Sequence, residues 1–248
     1  MINKKEIIDF IDKYSLGGIL ENVKWVIDDD NHLIYMGGTT DDSNIDVEVT
    51  LKKNYDIQSL NVGIKSTLTL KKMISVLNDD IISITPSFRG DLVTKLKFDD
   101  GETEVTYVGS DLAIVKPYTS IKTKGDLVLR IKIDDNFISK FLKAKNAMNG
   151  ESLFKIVKTN NKLKVSLGYS DRNTDRINLN ITSDFDNLPF DYPLSFNAEY
   201  FKQVLTNNKC DSQLELYCKD DKYISVIEFD DELYSCKYIL YQRLDDEI

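Results

Sequence analysis

One histidine in 248 residues leaves almost no imidazole chemistry to this chain. His32 follows the acidic turn Asp28-Asp29-Asp30-Asn31, with no nucleophile partner evident in the sequence. The cysteines are also few: Cys210, Cys218 and Cys236 form an odd set without C-x-x-C spacing. A zinc site would need more ligands than these, so they read as reduced thiols in or near a β core in a reducing compartment. Four prolines and eleven glycines are too few for long disordered tracts. No run approaches the ~20 apolar residues of a membrane span. The N-terminus MINKKEIIDF has no apolar core of the kind a secretory signal needs. A cytoplasmic protein without a membrane partner is expected. Basic residues fall short as well, 32 against 41 acidic, for a net charge of −9. That excludes a protein basic all over, but not a local basic surface on an acidic body.

Catalytic constellations are missing too. There is no Gly-rich phosphate loop. The acidic groups Asp28-Asp29-Asp30, Asp41-Asp42 and Asp99, Asp100, Glu102 lack the spacing of a calcium loop and read as solvated turns. We therefore expect no catalytic residue, metal or cofactor, and a protein that is not an enzyme.

What is present is a repeat. A helical phrase, apolar-x-x-apolar-apolar, occurs as Ile7-x-x-Phe10-Ile11, Met73-x-x-Val76-Leu77, Ile138-x-x-Phe141-Leu142 and Phe201-x-x-Val204-Leu205. The last positions differ by 66, 65 and 63 residues (77−11, 142−77, 205−142). A period that long, with one helix and several strands per unit, implies a symmetric architecture.

The first helix is expected over Asn3–Tyr14, stopped by Gly17-Gly18. Strand-like runs follow at Ile19–Ile27, His32–Met36, Ile45–Leu51 and Gln58–Lys65, then a helix over Leu68–Asn78. Next come Ile81–Thr85, Leu92–Phe98 and Glu102–Val108, the last two joined by an Asp-Gly hairpin signal. Gly109–Gly125 breaks the pattern and reads as a connector. Beyond it the order recurs. A strand, Leu127–Ile133, leads to a helix that Asp134 or Asp135 can cap and that runs to about Met148. Strands are expected at Ser152–Val157, Lys162–Leu167 and Arg176–Ile181, with Asn160-Asn161 as the first turn. Asn197 caps a fourth helix over Ala198–Asn207, and a meander closes the chain. The fold class is α+β: domains over residues 1–108 and 126–248, joined by a connector over 109–125.

Charge separates along the same lines. The four helical windows 3–13, 69–78, 136–147 and 198–209 hold ten lysines and four acids. They sum to +6, so the remainder carries −15 of the net −9. At 100° per residue, Lys140 and Lys143 lie opposite the apolar stripe of the third helix. Lys71 is likewise opposite the second stripe, Lys72 flanks it, and Lys145 snorkels along the third. The first helix is mixed, since Lys5 and Lys13 share a face with Asp9 and Asp12. Lysine is a good helix former and can simply solvate such faces. The functional alternative is a surface of equivalent helices that meets nucleic-acid phosphates without reading bases.

With those features in place the chain resembles the DNA sliding clamps, especially those of large tailed bacteriophages, and more distantly the proliferating cell nuclear antigen of eukaryotes. The resemblance rests on Asp56–Asp80, with its strand leading into Leu68-Thr-Leu-Lys-Lys-Met-Ile-Ser-Val-Leu-Asn-Asp-Asp80, and on Ile131–Ile181, where Ile133-Asp-Asp-Asn-Phe137 opens the third helix. It also rests on Lys237-Tyr-Ile-Leu-Tyr-Gln-Arg243 with the acidic tail Asp245-Asp246-Glu247. Gln242-Arg243 departs from the small/Pro pair of the nuclear antigen. The resemblance implies two similar clamp-type domains, each with two helices on antiparallel sheets, closing into a homotrimeric ring of six domains. Such a ring encircles duplex DNA and tethers a DNA polymerase after an ATP-dependent clamp loader has placed it, in a host's cytoplasm if phage-encoded. The DNA-facing residues would be Lys4, Lys5, Lys13, Lys71, Lys72, Lys140, Lys143, Lys202 and Lys209. A partner-peptide pocket would take Leu112, Ile114, Val115 and Tyr118 from the connector and Leu240, Tyr241 and Gln242 from the C-terminal strand. Subunits would pair near Glu102–Val108 of one copy and Arg176–Ile181 of the next, with Arg172 or Arg176 meeting Glu102 or Glu104. The alternative from another class is an acidic β-rich virion or assembly protein whose repeat records duplication alone.

Overall fold

The computed structural model describes residues 1–31, 33–53, 55, 57–120, 125–159, 162–170, 175–181 and 188–243. His32, the expected Asn160-Asn161 turn, Arg172 and the tail Asp245-Asp246-Glu247 lie outside the described residues. The chain divides into two compact units, each discontinuous in sequence. Unit one comprises Met1–Thr40, Val47–Ser120 and Asp230–Cys236; unit two comprises Asp41–Asp46, Ile121–Phe229 and Lys237–Ile248.

Unit one begins with β1 (Ile2–Asn3) and α1 (Lys4–Ser15), followed by β2 (Val23–Asp28), β3 (Leu33–Thr39), β4 (Ile45–Leu51) and β5 (Leu60–Ile64). After α2 (Thr67–Ile74) come β6 (Ile81–Arg89), β7 (Leu92–Asp99), β8 (Glu104–Val108) and a 3-10 turn at Leu112–Ile114. Its strands run in the orders β5-β2-β3-β4 and β1-β6-β7-β8. Unit two repeats the plan. It has β9 (Asp126–Ile133), α3 (Asp135–Ala147), β10 (Leu153–Thr159), β11 (Lys162–Leu167), β12 (Ile177–Ile181) and β13 (Leu194–Asn197). Then follow α4 (Ala198–Asn207), β14 (Ser212–Lys219), β15 (Lys222–Asp230) and β16 (Tyr234–Tyr241), whose first residues, Tyr234–Cys236, are counted in unit one. The orders are β12-β11-β10-β13 and β9-β14-β15-β16. Each unit is thus α+β, with its two helices packed on each other and on sheet.

The helices start where their caps dictate. Asn3 Oδ1 accepts from Lys5 N, Asp134 Oδ1 from Phe137 N, and Asn197 Oδ1 from both Glu199 N and Tyr200 N. α1 stops at Leu16, whose left-handed φ of 51° is followed by positive φ at Gly17 and Gly18. The strand after α1, β2, therefore starts at Val23, not at Ile19 as expected.

The second copy of the repeated phrase needs correction. α2 ends at Ile74 and buries Leu70 and Ile74, while Val76 beyond its end is 63% exposed. The true stripe is Leu70-x-x-Met73-Ile74, three residues earlier, and the even spacing is lost in that copy. In unit one the core forms around Trp25, whose Nε1 donates to Tyr14 Oη at 3.0 Å, with Phe10 edge-on to both rings. In unit two it is a cluster of five phenylalanines: 137, 141, 154, 196 and 201.

Candidate nucleic-acid interface and partner surfaces

The lysines of unit one's helices are largely committed within the unit. Lys4 Nζ donates to Leu77 O at 2.8 Å and Asn78 O at 3.2 Å, closing the turn after α2. Lys71 pairs with Asp12 across α1 and α2, and Lys13 Nζ stands 4.9 Å over the Tyr234 ring. The shifted stripe explains this. Relative to Leu70 and Ile74, Lys72 points away from the core and Lys71 sits on the flank towards α1, the reverse of the sequence expectation. Lys5 and Lys72 are exposed. Burial raises the Asp9 carboxyl above its usual range, with Lys5 opposing.

Unit two differs. On α3, Lys140 and Lys143 are exposed, and the only acid in the helix is Asp135 in its first turn. Lys145 is buried, donating to Asn149 O and pairing with Glu199 at 3.5 Å. Glu199 also draws Lys202 to 3.6 Å, and Lys209 is exposed beyond the end of α4. Among the described residues, α3 therefore presents two exposed lysines with no acid paired to them, and Lys209 lies beyond the end of α4. Such a face can meet phosphates non-specifically.

The two segments expected at a subunit contact are both edge strands. β8 ends the order β1-β6-β7-β8, and β12 begins β12-β11-β10-β13. Glu104 on β8 pairs with Lys97 at 3.0 Å in its own sheet, and Glu102 is exposed at the turn. Arg176 is exposed just before β12. A groove of about 410 Å³ runs between β12 and the start of α3, lined by Lys132, Lys140, Asn178 and Asn180 among others.

The expected peptide-pocket residues do not form one group within a unit. In unit one the connector supplies Leu112 and Tyr118, half-buried, Val115, buried, and Ile114, 67% exposed. In unit two Leu240 is wholly buried and is a core residue. Tyr241 Oη donates to Asp46 Oδ2 at 2.6 Å, and Gln242 Oε1 accepts from Tyr223 N at 3.2 Å. Leu112, Val115 and Tyr118 border a cavity of about 290 Å³ whose other wall is Lys24, Val26, Tyr35, Gly37 and Asn61. Sequence reasoning missed that wall. Its one signal was Gly37 inside a strand, where a glycine often marks close approach of another segment. Among the described residues no group of three or more His, Cys, Asp or Glu could hold a metal ion. No helix among them is long and apolar enough to cross a membrane.

No family model matches the chain, and no curated protein matches it. Solved structures do. The chain is similar to one described as the C-terminal region of FEN-1 bound to A. fulgidus PCNA, with a TM-score of 0.67 and 14% identity. The match covers 98% of this chain and 97% of that one. The fold is therefore the clamp fold of PCNA over nearly the whole length; bacteriophage-type kinship is not part of that finding.

Proposed function

We propose that this protein is a DNA sliding clamp: a non-enzymatic, homotrimeric ring that encircles duplex DNA without reading sequence and tethers a replicative DNA polymerase. The observation that carries the reading is the clamp fold over 98% of the chain, joined to an exposed lysine face on α3 of an otherwise acidic protein. Phosphates are attracted to such a helix and repelled by the body. Few and flexible contacts suit a ring held by topology, since tight ones would stop it sliding. Two free edges, β8 and β12, are suited to pair head to tail between copies, and heterologous contacts of that kind close into rings. An ATP-dependent loader would open and place the ring.

Sedimentation equilibrium over a wide concentration range, followed by primer extension on circular template with polymerase, loader and ATP, tests this. A trimer that lengthens polymerase runs is expected, and Lys140→Glu with Lys143→Glu should cut run length several-fold while leaving the trimer intact. A monomer at every concentration would remove ring closure and leave the duplicated assembly protein as the better reading.

A further inference from the structure

Two of the eleven glycines follow an Asp or Asn: Gly101 after Asp100, and Gly150 after Asn149. Glycine has no Cβ to shield its own backbone nitrogen. The carbonyl carbon of the preceding side chain is therefore open to attack by that nitrogen, unless other bonds hold the two groups. At Asp100 they do. Its carboxylate accepts from Thr103 N, Glu102 N and Asn78 N, and Gly101 N is spent on Asp99 Oδ1 at 2.7 Å. The bond from Thr103 foremost, with the others, lowers the carboxyl to about 2 and keeps it ionised at neutral pH, a poor electrophile.

Asn149 is held the other way. Met148 N donates to Ala144 O at 2.9 Å at the end of α3, and Glu151 N donates to Met148 O at 3.0 Å. Asn149 and Gly150 are the central residues of that turn, and both are exposed. A Cβ on Gly150 would meet nothing within 4 Å, so there is room for the chain to turn in on itself. Among the described residues no hydrogen bond engages Gly150 N or the Asn149 side-chain amide. The grip falls on the main-chain oxygen of Asn149, which accepts from Lys145 Nζ at 3.1 Å. The Lys145 side chain is only 3% exposed and its Nζ lies 3.5 Å from Glu199 Oε2, so a fixed cation faces that one oxygen.

We propose that Asn149 is a site of self-modification: Gly150 N attacks Asn149 Cγ to close a five-membered imide, and Lys145 directs its reopening by water to isoaspartate. In the first step the N–Cγ bond forms, the Cγ–Nδ2 bond breaks and ammonia leaves, the Gly150 amide proton passing to a solvent base. In the second, water adds to one of the two imide carbonyl carbons. Attack at Cγ restores the ordinary backbone and leaves aspartate. Attack at the main-chain carbon of Asn149 frees that carboxyl and routes the chain through Cγ, which is isoaspartate. The sum is one water consumed and one ammonia released, with no change of oxidation state. Lys145 Nζ already donates to the main-chain oxygen, and a fixed donor of that kind favours attack on the carbon it polarises. The carboxylate then formed keeps this oxygen beside a buried ammonium, a charge-assisted bond. The modified protein carries a new negative charge at the C-terminal end of the helix that bears Lys140 and Lys143, where the helix dipole opposes it.

Peptide mapping by mass spectrometry tests it, on the full chain aged for several days in mildly alkaline buffer beside the free peptide Ala-Met-Asn-Gly-Glu-Ser. A gain of about 1 Da should build up at Asn149, with fragmentation that separates isoaspartate from aspartate. The isoaspartate-to-aspartate ratio should exceed that of the free peptide by at least about twofold. Lys145→Met, which removes the cation, should return the ratio to the peptide's value, whereas Lys145→Arg should keep the excess. Gly150→Ala should slow the mass gain several-fold, and Asp100 should form no isoaspartate in the folded protein. An Asn149 that stays intact while the free peptide reacts would overturn the site. A ratio equal to the peptide's in the wild-type protein would overturn the part given to Lys145, and that comparison needs no variant to fold. None of these readouts involves DNA or ring closure, so they stand apart from the clamp reading.

Discussion

Phe201 lies at the centre of unit two's core, its ring 4.7 Å from Phe141 and 4.8 Å from Phe154 between centroids. It has no exposed surface. Phe201→Ala removes the hub of a cluster drawn from α3, α4, β10 and β13, and should cost about 3–5 kcal/mol. Urea unfolding at neutral pH measures this, and a loss below about 1 kcal/mol would mean the cluster repacks freely. The same residue was legible in advance, because a phenylalanine at i, i+3, i+4 spacing on a short helix has few places to go but inward. Lys71 and Lys72 were not. Their roles depend on which neighbour is buried, and Val76 could be recognised as exposed only once α2 was seen to stop at Ile74.

Single elements show where local chemistry suffices. The turn between β7 and β8 follows from Asp-Gly: Gly101 has φ 93°, a conformation glycine adopts without steric cost. Asp100 does more than sit in that turn. Its carboxylate accepts from Thr103 N at 2.6 Å and Glu102 N at 3.0 Å, and also from Asn78 N at 2.6 Å in the segment after α2. The Thr103 bond foremost, with those from Asn78 and Glu102, pulls its pKa from 3.8 to about 2. A lowered folded-state value means stability that is present above pH 3.8 and lost as pH falls towards about 2. Asp100→Ala should therefore destabilise the protein at neutral pH, and the gap to wild type should close over that acid window. Chemical denaturation from pH 6 down to about 2.5 would show it, and a gap independent of pH would refute this role. The start of α2 was less legible than the turn. Ser66 caps it, but Ser66 is held in turn by Glu21, whose carboxylate accepts from Ser66 Oγ and whose carbonyl accepts from Thr67 N. A partner 45 residues away gives no local signal.

For the whole molecule, the proposed ring makes an electrostatic demand on its edges. If Glu104 on β8 faces Arg176 of the next copy, Glu104→Arg should weaken the trimer, and adding Arg176→Glu should restore it. Exposed ion pairs contribute only about 0.2–1 kcal/mol, so a few-fold change in the association constant by sedimentation is the expected scale. A double variant no better than the single would break the pairing. That β8 and β12 are edges at all is a property of strand order; the sequence placed the strands but could not rank them within their sheets. By itself the sequence determined the α+β class, the duplicated plan, two of the four helix caps and the lysine-rich helices. Each of those follows from periodicity, capping chemistry or composition within a short window. Only the tertiary structure decided which lysines are spent on internal partners, which strands stand at edges, and that the connector is fastened over Gly37 and Gly63 with a recess beneath it. Those outcomes depend on residues far apart in the chain, whose meeting is set by packing and not by any local preference.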